Sequence, residues 1–409
     1  MYKFTEEQIM IRDMVREFTK NEVAPYDKAM DETFSFNMEV YQQIYSKLVE
    51  TGLMGIHIPE QYGGGGGDAI TSQIVVNELA KGSASIALYL DANWLASDMI
   101  LVHGSDEQKQ KYLPLAAEGK VFAFGLTEAS AGSDAAGIKS IAAKQDDGSY
   151  ILNGGKAWIT NSGVADYYLI MAKTDPDAGA RGISVFIVPK DAEGLTIGKF
   201  EHKMGMRGSA TCELSFDNIR IPECDRVGRE GLGFKVAMMA LDGARISIGS
   251  IASGLSQHAM EIAKAYANER TTFGKPIKAY QGISFKFADM AAKVRAMDLM
   301  VWDTAEMKAN GQRHSAEAAM LKLMSSKWCK AMSAFRCSAA TATAQSSMSS
   351  VCTATRSCSR SARARVRSSA WSSAAPSLDD RYTAQSKWRD RDENTCLRKA
   401  GARHRRCQA

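Results

Sequence analysis

Apolar residues recur at helical spacing through about the first 120 positions, change to short β-rich runs between Phe122 and Glu223, and return to helical spacing from Gly233. At the amino end Thr5 is placed to cap a helix, and Glu6 and Glu7 suit its first turn. Ile9, Met14, Val15 and Phe18 follow at helical spacing, and Ala24-Pro25 is expected to end the helix. A second helix over 36–51 stops at Gly52, and a third over 69–79 follows a run of glycines at 63–67. No strand leads into that run, so it reads as a flexible loop rather than a phosphate cradle. Strands are predicted over 150–152, 167–172, 183–188, 195–200 and 212–216, with Gly182 and Pro189 bracketing one of them and Asn153-Gly154 signalling a hairpin.

Beyond Gly233, Phe234, Val236, Ala237, Ala240 and Leu241 share a helical face, and further helical runs cover 255–269 and 283–309. The periodicity stops at Trp328. The chain therefore reads as an α+β multidomain protein, with an N-terminal helical domain over 1–120, a middle β-domain over 121–225 and a C-terminal helical bundle over 226–327. The remainder, 328–409, is rich in Ser, Ala and Arg with few branched aliphatics and is expected to be disordered.

Composition sharpens this division. A chain of 409 residues with 45% hydrophobic content can bury a sizeable core. It has no apolar run of about 18 residues and no secretion-type start, so no membrane span and a cytoplasmic location are expected. The formal charge of +5 would invite nucleic acid, but 328–409 holds 16 Lys+Arg against 5 Asp+Glu, leaving 35 against 41 for the body. An acidic body is not expected to bind nucleic acid. Cys212 and Cys224 are the only cysteines before the tail, so neither a disulfide framework nor a metal site is expected.

Candidate chemistry concentrates in four stretches. The segment 125–137, GLTEASAGSDAAG, is built of small residues whose backbone N–H groups and hydroxyls can approach a pyrophosphate closely, although a short stretch of this kind can also be an ordinary turn. Lys156-Ala157-Trp158-Ile159-Thr160-Asn161 reads as a strand ending in a turn, whose indole could face a flat ring or the core. Arg270, in NERTTFGKP followed by Gln281, Phe285 and Asp289, could bind phosphate or simply be solvated near a helix end. Asp242 and Arg245 lie in LDGAR on an amphipathic helix.

Together these motifs resemble the acyl-CoA dehydrogenase family over about residues 3–327, most of all its short-chain and medium-chain, butyryl-CoA dehydrogenase-like members. The resemblance implies a middle β-barrel-like domain, a C-terminal four-helix bundle that is incomplete here, and FAD as cofactor. It places Phe124, Leu126, Thr127, Gly132, Ser133, Trp158 and Thr160 at the FAD, with Arg270, Phe273 and Gln281 reaching the FAD of a neighbouring subunit in a homotetramer. Ser133, Asp242 and Arg245 are implied at the acyl-CoA. The implied reaction is α,β-dehydrogenation of a short or medium acyl-CoA to the trans-2-enoyl-CoA in fatty acid β-oxidation, with electrons passed to an electron-transfer flavoprotein. A flavin enoyl-CoA reductase or an acyl-CoA oxidase of the same fold, and a binding protein that keeps FAD or CoA without catalysis, are the alternatives.

The family's catalytic Glu is missing. Most members carry it in a C-terminal EGTSE-like segment that this chain lacks, and members that place it on the preceding helix have it where Ala244 stands here. Yet 335–343, read from the third base of each codon, permits Gln-Val-Leu-Gly-Gly-Tyr-Gly-Tyr, and 348–356 permits Val-Glu-Arg-Leu-Tyr-Arg-Asp-Ala. At the same offset 362–373 permits Glu-Gly-Thr-Ser-Glu-Val-Gln-Arg-Met-Val-Ile, with the glutamate codon straddling Ala362 and Arg363. One shared offset in family order reads as a frameshift after about residue 327, and the chain as written has no catalytic residue to assign.

Overall fold

The computed structural model describes residues 2–32 and 36–333. The expectation of disorder for the tail falls, beyond Ser333, outside the described residues.

Helix α1 (Glu6–Phe18) begins at a capping box, in which the Gln8 backbone N–H donates to Thr5 Oγ1 and the Gln8 side chain receives the Thr5 N–H, each at 3.1 Å. The expected stop at Ala24-Pro25 does not occur. A π-helical turn, Thr19–Val23, carries the chain directly into α2 (Ala24–Glu32), and Pro25 directly follows this turn, where the Ala24 N–H already reaches back five residues to the Thr19 carbonyl.

Helices α3 (Met38–Glu50), α4 (Ala69–Gly82), α5 (Ala84–His103) and α6 (Asp106–Ala117) complete the N-terminal domain. Helix α5 is buried almost all round, from Ile86 and Leu90 to Ala96 and Ile100. The glycine run before α4 is a loop, as expected, but it is pinned. Gly65, Gly66 and Gly67 donate backbone hydrogen bonds to Gly55, Ile58 and Ile56 at 3.1, 2.9 and 2.7 Å, and a Cβ on Gly64 would lie 2.1 Å from the Ile58 carbonyl oxygen. The glycines permit close packing here rather than flexibility.

The middle domain is one eight-stranded sheet of β1 (Phe122–Gly125), β2 (Ile141–Lys144), β3 (Tyr150–Thr160), β4 (Tyr167–Lys173), β5 (Ile183–Pro189), β6 (Leu195–Ile197), β7 (Thr211–Ile221) and β8 (Arg226–Val227). Its order is β6-β7-β3-β2-β4-β5-β8, with β1 parallel to β4. Strands β4 and β5 are buried on both faces, which is why they read as continuous apolar runs. The hairpin expected at Asn153-Gly154 is instead a β-bulge inside β3, marked by a register shift against β7 and by φ 132° at Gly154. The turn that joins β2 to β3 lies earlier, where Gln145 and Ser149 close it and Gly148 takes φ 85°.

The C-terminal domain opens with α7 (Gly233–Glu269), a single 37-residue helix where the sequence reads as two runs. Its middle is rich in Ser and Gly, which weakens the apolar signal but allows close contact. Gln73 of α4 donates to Ser247 Oγ at 3.1 Å, and Ser250 Oγ donates to the Gln73 carbonyl at 3.0 Å. After a short hairpin of β9 (Thr271–Thr272) and β10 (Lys275–Pro276), helices α8 (Gln281–Ala309) and α9 (Ser315–Ser333) pack on α7. Ile246, Val301, Trp302 and Leu321 form their shared core with Ile70 and Ile74 of α4. Helix α9 continues past Trp328, where the apolar periodicity ends, because Trp328 still packs on the cluster of Met290, Val294 and Met297 beside Met260 and Phe287.

Candidate active site

The segment 125–137 leaves the end of β1 and lies against β3. Ala157 donates its N–H to the Thr127 carbonyl at 2.9 Å, and Glu128 and Ala131 exchange backbone hydrogen bonds of 3.1 Å. Leu126 is buried beneath the segment, while Phe124, Thr127, Gly132 and Ser133 are half-buried and Ala129 and Ser130 exposed. Nothing lies within 4 Å of a Cβ built on Gly132, so the backbone there faces open space. A cavity of about 450 Å³ adjoins the segment, lined by Ala129, Ser130, Ala157, Thr196 and Ser215.

The carboxylate of Glu128 lies below this loop, among four donors. Lys139 N approaches at 2.6 Å, Ser140 N at 3.0 Å, Ser140 Oγ at 2.7 Å and Lys156 Nζ at 2.6 Å. Burial disfavours a charged Glu128, but the hydrogen bond and charge of Lys156 outweigh it and hold the carboxyl below its ordinary value. Burial also pushes the Lys156 ammonium down to about 8, against the opposing pull of Glu128. Glu128 and Lys156 are the two site-forming side chains that sequence reasoning did not assign. A lysine among the small and apolar residues of Gly154-Gly155-Lys156-Ala157 was the available signal.

Trp158 stands two residues along β3. It adopts φ 55° at a second register shift, which turns its ring outward and leaves 58% of the residue exposed. Thr160, half-buried, closes the strand opposite Thr211. Asn161, at φ 66°, donates from Nδ2 to the Tyr89 carbonyl at 2.9 Å and so anchors the strand end to α5.

Asp242 and Arg245 form an ion pair within one turn of α7, and Ser315 Oγ of α9 donates to the other Asp242 oxygen at 2.5 Å. Arg270 ends α7 with its side chain exposed, and Gln281 is exposed at the start of α8. Between them Phe273, at φ 49°, is 96% exposed, and Phe285 on α8 is 63% exposed. The structure thus brings the 124–133 segment together with Trp158 and Thr160, and places Arg270, Phe273 and Gln281 on the surface of the C-terminal helices. On α5, Tyr89, Leu90, Asn93 and Trp94 are all buried. Asn93 and Trp94 are engaged by the Phe122 N–H at 2.6 Å and the Met54 carbonyl at 2.8 Å.

The sequence matches three successive descriptions, acyl-CoA dehydrogenase N-terminal domain over residues 5–120, middle domain over 123–219 and C-terminal domain over 231–336. The chain belongs to the acyl-CoA dehydrogenase family. It is 44% identical over 324 residues to an acyl-CoA dehydrogenase of Bacillus subtilis, covering 79% of this chain and 84% of that one. It is 41% identical over 324 residues to a short-chain specific acyl-CoA dehydrogenase of Clostridium acetobutylicum, with the same coverage. Among solved structures, butyryl-CoA dehydrogenase from Megasphaera elsdenii superposes with a TM-score of 0.82 at 35% identity, over 87% of this chain and 95% of that one. As an acyl-CoA dehydrogenase the chain belongs to a flavoprotein oxidoreductase family of fatty acid β-oxidation, with the helical, β and helical domains read from the sequence. The family match ends at residue 336, a little beyond the boundary at 327 read from the sequence.

Among the described residues no helix is long and apolar enough to cross a membrane, and no group of three metal-ligating side chains occurs.

Proposed function

We propose that this acyl-CoA dehydrogenase uses FAD to convert short or medium acyl-CoA thioesters to trans-2-enoyl-CoA, passing electrons to an electron-transfer flavoprotein in the cytoplasm. The observation that carries the reading is Trp158, a large ring held outward in a strained backbone conformation directly beside a loop of small residues. Strain of this kind persists where the surrounding structure imposes it and is common at ligand clamps. The residues fit the cofactor: Trp158 offers a flat apolar face, Thr160 a hydroxyl, and Leu126 to Ser133 backbone N–H groups with room above Gly132. These residues would hold FAD, which would supply the acceptor for the hydride of the substrate's β-carbon.

The protein's own groups bind and orient. Ser133 and Arg245 hold the thioester and its nucleotide end, with Asp242 fixing the guanidinium. Arg270, Phe273 and Gln281 serve the neighbouring subunit's cofactor in a homotetramer, which accounts for a phenylalanine left bare on one chain. The α-proton requires a carboxylate base, and the glutamate that supplies it belongs to the shifted frame across Ala362 and Arg363. We assign the work to domains 1–120, 121–225 and 226–327.

The test compares two proteins, the chain as written and one whose end is restored to the shifted frame. The restored protein is expected to oxidise acyl-CoA with an artificial electron acceptor and to do so faster than it reduces enoyl-CoA or consumes oxygen. The chain as written is expected to show negligible turnover and weak flavin retention, since it lacks the base and leaves Leu299, Met320 and Leu323 exposed on α8 and α9. Equal turnover by both would overturn the assignment of the base. A restored protein active only on enoyl-CoA or with oxygen would turn the reading to the reductase or the oxidase.

A further inference from the structure

Several loop contacts converge on one buried point. Glu128, near the start of the 125–140 segment, accepts from Lys139 and Ser140 at its end and from Lys156 beneath it, at 2.6 to 3.0 Å. The Lys156 side chain is 0% exposed and that of Glu128 7%. The lysine stem also crosses under Gly125, where a Cβ would stand 3.4 Å from Lys156 Cγ and 2.7 Å from Ile170 Cδ1. Ser140 Oγ, besides donating to Glu128, receives the Gly155 N–H at 3.3 Å. Entry, exit and floor of the loop are thus joined through one carboxylate, whose lysine partner stands two residues before Trp158.

We propose that Glu128 and Lys156 are positioning residues, a buried ionic clasp that holds the 125–140 segment in its binding shape before any cofactor arrives. Neither need touch the cofactor. A segment of small residues has little apolar surface of its own to fix it, so free it would sample many conformations, and ordering it on binding would lower affinity. The clasp removes that ordering step. Ala129 and Ser130 then stay exposed and the space above Gly132 stays open, while the Lys156 and Glu128 side chains remain almost wholly buried beneath them at the wall of the cavity. Removing both charges from a buried pair is often neutral, because no charge is left unpaired. A buried charge left without its partner, by contrast, forces the loop to rearrange.

The clasp serves FAD only on the reading above, so the test begins without it. Amide hydrogen exchange is measured on the full chain, cofactor-free, for the parent, Glu128→Gln, Lys156→Met and the double variant. In each single variant amides of 129–137 should exchange at least about tenfold faster than in the parent while those of α3 and α6 keep their rates, and in the double variant protection should return at least in part. Parent-like exchange in both single variants, or a double variant no better protected than either, overturns the proposal. Titrating FAD into the same proteins separates the two readings. Affinity is expected to fall about tenfold or more in the single variants and to recover in the double. If the end-restored parent takes up no FAD while the exchange pattern appears, the clasp stands and the cofactor reading falls. Should a single variant fail to fold, the double variant and a Lys156→Arg replacement, expected to keep protection within about threefold of the parent, carry the comparison.

Discussion

At Trp158 an indole sits at φ 55° with more than half of its surface bare, a combination that contributes nothing to the stability of the free chain. Trp158→Ala should therefore leave unfolding of the cofactor-free protein within about 0.5 kcal/mol of the parent in urea, as for other surface positions. It should weaken FAD binding by at least about tenfold, read by flavin fluorescence. A variant that loses stability but keeps affinity would make the residue structural.

Asp91 presents the opposite case, a carboxyl hidden between α5 and α7. Burial raises its pKa to about 7, with a hydrogen bond to Ser247 and the charge of Lys308 opposing the rise. Between the unfolded value near 3.8 and 7 the folded protein holds the extra proton, so this group's contribution to stability falls as pH rises through that window. Asp91→Asn should accordingly gain on the parent between pH 4 and pH 8 in urea unfolding, and a constant gap would show that Asp91 is not so buried. The tryptophan's motif was legible in the sequence. Its backbone strain and the burial of Asp91 were not, because both are set by neighbours distant in the chain.

Among the elements, the loop before α4 separates two uses of glycine. Gly63 has φ 81° and nothing within 4 Å of a Cβ, whereas Gly64 packs its α-carbon against the Ile58 carbonyl. Gly63→Ala should cost about 1–2 kcal/mol for the left-handed conformation alone. Gly64→Ala should cost more, because backbone must move, and equal effects in thermal unfolding would contradict the packed-loop description. The sequence showed five glycines and no periodicity, from which a loop follows but its pinning does not.

Element type is read correctly for α1, α3, α4, α8, β4 and β5, whereas β1, β2 and α9 are not singled out. The failures share a cause in partners that the local pattern cannot show. The π-turn let α1 and α2 join across Pro25, β7 absorbed the bulge at Asn153-Gly154, and α4 received the small-residue face of α7. The Asp147-Gly148 turn carries its own signal in the sequence, close to the competing signal of the Asn153-Gly154 pair.

For the molecule as a whole, the positive formal charge belongs to the sequence after 327, and the body that carries the family motifs is acidic. Resequencing the gene across codons 320 to 376 should return a single inserted or deleted base in that interval if the shift is an error of sequence. If the end-restored chain assembles through the surface bearing Arg270, Phe273 and Phe285, sedimentation should show a tetramer, and Phe273→Glu should shift it to smaller species with loss of bound flavin. A tetramer indifferent to that change would place the interface elsewhere. The loop and Trp158 were legible because their residue types are constrained in one stretch. The meeting of Arg270 with a second subunit was legible only through resemblance.

On this reading the 125–137 loop and Trp158 form a flavin seat. It is tested most directly by the absorption spectrum of the end-restored protein purified with added FAD. Bands near 370 and 450 nm at about one flavin per chain are expected, the latter bleaching when butyryl-CoA is added without oxygen. A folded, colourless protein that takes up no FAD would contradict it.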